Sequence, residues 1–75
     1  MEERVINWSR GRRVRIVVID VPADFDRLVR RVTDDSHHVD DRAILAEDVS
    51  RLFGKHVRMQ STVDRQGEEI VIHVG

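Results

Sequence analysis

The chain contains no cysteine and no tyrosine, and only one proline, one tryptophan and one lysine. Without cysteine there can be no disulfide, no thiolate metal site and no cysteine nucleophile. That composition suits a reducing compartment. Two phenylalanines and one tryptophan leave little aromatic surface on which bases could stack. Apolar runs are short, the Ile16-Val17-Val18-Ile19 stretch being typical, whereas a membrane-spanning helix needs about 20 apolar residues. The start, Met1-Glu2-Glu3-Arg4, has no apolar segment of the secretory kind. The expectation is a soluble, cytoplasmic protein. Missing too are the Gly-x-Ser-x-Gly turn of a serine hydrolase, a phosphate-binding loop and a glycine-rich dinucleotide turn.

What is present is charge, 36% of the residues, almost balanced at −1 overall. Its distribution is uneven. Residues 1–19 hold five arginines against two glutamates, residues 20–48 nine acids against four arginines, and residues 49–75 four basic residues against three acids. Twelve of the thirteen basic residues are arginine. A dedicated nucleic-acid binder usually has a domain pI above about 9, and this chain lies near 6.4.

Seventy-five residues make a single domain, 1–75. Arg4–Ser9 alternates weakly, Arg10-Gly11-Arg12 supplies a turn, and Val14–Val21 is rich in β-branched residues up to Pro22. The pattern predicts a hairpin. Ala23–Thr33 spaces Phe25, Leu28, Val29 and Val32 along one helix face, with Asp24 and Asp26 at its start and Arg30 and Arg31 in its last turn. Thr33–Val39 reads as a loop. Asp40 or Asp41 caps a second helix that runs through Phe53, with Leu45, Val49, Leu52 and Phe53 as its stripe and Gly54 closing it. His56–Val63 and Glu69–Val74 alternate around the turn Asp64-Arg65-Gln66-Gly67. The fold class is α+β, in ββααββ order, with a four-stranded antiparallel sheet and two helices packed on one face. A helix-turn-helix over residues 43–63 is the rival, but it would place Gln60 where its recognition helix needs an apolar side chain.

Two helices cover one face of a sheet, yet the second strand is apolar on both sides. Either Val14, Ile16 and Val18 or Val17, Ile19 and Val21 point outward, and Val71 joins the outer face if Ile70 points inward. From this comes the functional expectation: a non-catalytic protein-interaction module, a regulator, inhibitor or adaptor. It self-associates as a homodimer through the outer sheet face, with Trp8, Val17, Ile19 and Val71 as contact residues. The alternative is a nucleic-acid binder using Arg10, Arg12, Arg13 and Arg15 of the first hairpin against phosphates. His37 and His38 lie among four aspartates, but adjacent histidines diverge and the segment reads as a solvated loop. His56 and His73 flank the open end of the last hairpin without a nucleophile or carboxylate beside them. No catalytic residue, cofactor or metal is assigned.

Overall fold

A computed structural model describes all 75 residues. The chain runs β1 (Glu2–Trp8), β2 (Arg12–Val18), α1 (Phe25–Ser36), α2 (Arg42–Phe53), β3 (Val57–Asp64) and β4 (Gly67–Val74). The class is α+β, one four-stranded sheet with two helices. The strand order is β1-β2-β4-β3. The sheet is mixed rather than wholly antiparallel as the sequence suggests. Each hairpin is antiparallel, but β2 and β4 run parallel at the centre.

Burial explains that order. Each hairpin has one apolar strand and one polar strand, and the apolar one goes to the middle. Strand β2 buries Val14, Ile16, Val17 and Val18, and β4 buries Ile70, Ile72 and Val74. Strand β3, with Arg58, Gln60, Ser61 and Thr62, has no buried residue. The antiparallel helix pair returns the chain so that β3 opposes β2, and placing β4 beside β2 therefore makes that pair parallel.

Val14, Ile16 and Val18 face the helices, where they join Ile6, Trp8, Phe25, Val32, Leu45, Ala46, Val49, Ile70, Ile72 and Val74 in one core. Val29, Val39, Leu52, Phe53 and Val57 pack at its margin. Met59, on the edge strand β3, is 37% exposed and lies outside it.

Helix α1 continues three residues beyond Thr33, so much of the expected loop is helical. Arg30 and Arg31 consequently sit in mid-helix rather than in the last turn. Thr33 returns its hydroxyl to Val29 O (2.9 Å) and Ser36 to Thr33 O (2.6 Å), which satisfies polar side chains that otherwise favour loops. Asp41 caps α2, its carboxylate accepting from Ala43 N (2.8 Å) and Ile44 N (3.3 Å). Gly54 ends that helix at φ 65°, in the left-handed region glycine enters at least cost. Residues 57–64 form a strand, so the recognition helix of the helix-turn-helix rival does not exist.

Candidate functional site

The ladder registers define the face of the sheet away from the helices. Across it run three rows: Glu3, Val17, His73 and Arg58; Val5, Arg15, Val71 and Gln60; Asn7, Arg13, Glu69 and Thr62. The valines supply its apolar part. Val5 is 50% exposed and Val71 half-buried, whereas Val17, between Glu3 and His73, keeps only 7% of its surface. Ile19 lies just past the end of β2 and is 73% exposed.

Charged side chains cross the middle of this face, and they are matched. Arg15 Nε donates to Glu69 Oε1 at 2.9 Å and its guanidinium lies 3.8 Å from Glu3. Arg13 reaches Glu69 at 3.6 Å and Asp64 at 3.8 Å, and donates to Gln66 O at 3.1 Å. The hydrogen bond from Arg15, reinforced by the charges of Arg15 and Arg13, holds the Glu69 carboxyl below the usual carboxylate range. The same bond raises Arg15.

Of the four residues expected to contact a partner, Val17 and Val71 lie on this face and Ile19 lies at its rim. Trp8 does not. It points to the helix side, is 5% exposed, and donates its indole N–H to Ser36 O (3.0 Å) and Val39 O (2.9 Å). It is a core residue because two carbonyls, Ser36 O at the end of α1 and Val39 O just beyond it, lie at the distance an indole reaches.

The arginines of the first hairpin are likewise committed within the chain. Arg10 pairs with Asp40 at 2.8 Å. Arg12 stacks over Trp8 at 3.8 Å, pairs with Asp40 at 2.7 Å and donates to Asp40 O at 3.2 Å. Arg13 and Arg15 belong to the outer-face network. The Trp8–Arg12–Asp40 junction ties the first hairpin to the connection between the helices. No local pattern announces it, since its members lie up to 32 positions apart in the chain, from Trp8 to Asp40.

The aspartates around His37 and His38 have other duties. Asp41 caps α2 and Asp40 holds two arginines, and no group of three or more histidines and carboxylates converges anywhere in the chain. His73 stands opposite Arg58 and His56 opposite Gly75, so the two histidines are a diagonal pair with no carboxylate between them. The surface carries no enclosed pocket, and no helix is long and apolar enough to cross a membrane. No protein-family model, curated protein or solved structure matches the chain.

Proposed function

We propose that this chain is a small, non-catalytic protein-interaction module of the cytoplasm that self-associates through its outer sheet face, serving as a regulator, inhibitor or adaptor. The observation that carries the reading is that the helices cover one side of the sheet while Val5, Val17 and Val71, with Ile19 at the rim, lie on the other. A chain of this size buries only about 60–65% of its unfolded surface, so a second copy stacked on that face adds burial the fold lacks. The charges at the middle of that face, Arg13, Arg15 and Glu69, are already paired, which lowers the cost of removing them from water relative to lone charges. Because such pairs roughly break even on burial, the association is of modest affinity.

Trp8 takes no part in this contact, being occupied in the core. Nucleic-acid binding draws no support from the hairpin arginines, because phosphates would have to displace Asp40, Glu69 and Asp64 from them.

Sedimentation equilibrium tests the proposal. The chain should dimerise at high micromolar concentration, and Ile19→Lys and Val71→Lys should each weaken the dimer while leaving the circular dichroism spectrum unchanged. A strictly monomeric wild type, or variants that sediment as it does, overturns the assignment of this face.

A further inference from the structure

Strand β3 is an edge strand, bonded to β4 on one side and to nothing on the other. The ladder shows which of its backbone groups are free. Gly75 N donates to His56 O at 3.1 Å, so His56–Gly75 is a hydrogen-bonded pair. Antiparallel pairs alternate in type, so Arg58–His73, Gln60–Val71, Thr62–Glu69 and Asp64–Gly67 are hydrogen-bonded as well. Val57, Met59, Ser61 and Val63 therefore hold their N–H and C=O groups toward the open edge.

Proteins usually blunt such an edge with proline, lysine, a bulge or a covering segment. Here the register with β4 is unbroken over Val57–Asp64, the strand contains neither proline nor lysine, and no element lies beyond it. Met59 is 37% and Val63 78% exposed. The opposite edge is different: β1 begins Glu2-Glu3-Arg4, three consecutive charges.

We propose that this edge takes a second copy of the chain, β3 pairing antiparallel with β3 about a two-fold axis through Ser61, which joins two sheets into one of eight strands. The sequence of the strand selects both occupant and register. Matching faces and free backbone groups require odd-numbered residues to pair with odd-numbered ones. With the axis at Ser61, Met59 faces Val63 twice, Gln60 faces Thr62 twice, and Arg58 faces Asp64 in both halves. Moving the axis to Gln60 or Thr62 breaks both Arg58–Asp64 pairs. Arg58 forms no ion pair within its own chain, and Asp64, whose Oδ1 accepts from Gln66 N at 2.7 Å, has one ion pair, the 3.8 Å contact of Oδ2 with Arg13. The hydrogen-bonded pairs Ser61–Ser61 and the two Met59–Val63 add about six backbone hydrogen bonds between copies.

This contact uses the free backbone edge of β3 rather than the valines of the outer face, although Arg58 and Asp64 project on the outer-face side, and Ser61→Cys cross-linking reads the edge alone. Because the chain has no cysteine, single cysteines test the register directly. Ser61→Cys places two thiols across the axis and should cross-link rapidly under mild oxidation. Val57→Cys should not, since its two copies lie about 26 Å apart at ~3.3 Å per residue. In sedimentation, Arg58→Asp should weaken the edge dimer about tenfold by setting like charges opposite one another. Adding Asp64→Arg to it should restore affinity. Circular dichroism checks that each variant folds. Equal cross-linking at both positions, none at Ser61→Cys, or a dimer indifferent to Arg58→Asp overturns the proposal. An Ile19→Lys effect without an Arg58→Asp effect assigns self-association to the face alone.

Discussion

Replacing Trp8 by phenylalanine measures how firmly the first hairpin is held to the helices. The indole N–H donates to Ser36 O and Val39 O, and phenylalanine keeps most of the ring but removes both bonds. The two acceptors are not equally dependent on it. Ser36 O retains Val39 N at 3.3 Å, whereas Val39 O receives no backbone donor. A buried polar group left unpaired costs about 1–3 kcal/mol. Taking at most the low end for Ser36 O, which keeps a donor, and the middle for Val39 O gives a loss of about 2–3 kcal/mol. A 75-residue domain has a total stability of about 4–11 kcal/mol, so the loss is a large fraction of it. At about 4–8 °C per kcal/mol for domains of this size, Trp8→Phe should lower Tm by about 10–20 °C. Thermal melts followed by far-ultraviolet circular dichroism give the value, at a concentration low enough that self-association does not contribute. A decrease below about 3 °C would refute the reasoning, because it would mean that the two carbonyls find water without cost.

Two further perturbations test separate features. Asp41→Ala removes the cap of α2 and should cost about 1 kcal/mol in urea unfolding, with Asp41→Asn recovering most of it; equal stabilities of the alanine and asparagine variants would show that the cap contributes nothing. The Glu69 carboxyl is held low by Arg15, so folding favours its ionised form; that stabilisation is complete above the unfolded value near ~4.3 and is lost as pH falls through the lower folded value. Glu69→Gln should accordingly flatten the decline of the urea midpoint below about pH 4.5, and an unchanged acid slope would remove the Arg15–Glu69 pair from the stability of the fold.

The elements were legible because each carries a local signal. Asp41 and Gly54 bracket α2 by capping chemistry alone, and Gly11 and Gly67 mark the hairpin turns. The end of α1 was not legible, because Thr33, Asp34, Asp35 and Ser36 are residues that prefer caps and loops. They remain helical where Ser36 is buried and its hydroxyl bonds back to Thr33 O. Strand order was hidden for a different reason. Whether β3 or β4 lies beside β2 is a comparison between strands, and alternation within each strand does not express it. The composition held the answer, since Glu69–Val74 is richer in apolar residues than His56–Val63. Trp8 misled because a lone tryptophan near a strand end suits a core and an interface equally well, and only the position of the Ser36 and Val39 carbonyls decides between them. The charge segregation along the chain also changes meaning in three dimensions. The basic first segment pairs with the acidic middle through Arg4–Asp26, Arg10–Asp40 and Arg12–Asp40, so much of the asymmetry is spent inside the molecule.

The two proposed contacts are geometrically compatible, and their combination has its own consequence. Pairing at the β3 edge uses an axis normal to the sheet, which leaves both outer faces on the same side and doubles the area available for stacking. Stacking uses an axis in the plane of the sheet. Both contacts join a surface to its own copy, so each alone closes at two chains. Where the two axes intersect they close at four, as two eight-stranded sheets back to back. Charge chemistry separates the steps. The charges at the middle of the outer face, Arg13, Arg15 and Glu69, are already paired within the chain, so that contact responds weakly to salt, whereas the edge contact creates its Arg58–Asp64 pairs on association and loses strength as salt screens them. If both contacts form, raising the ionic strength should convert four-chain particles into face-stacked pairs before any monomer appears, with Arg58→Asp reaching the same pairs at low salt and Ile19→Lys leaving edge-joined pairs instead.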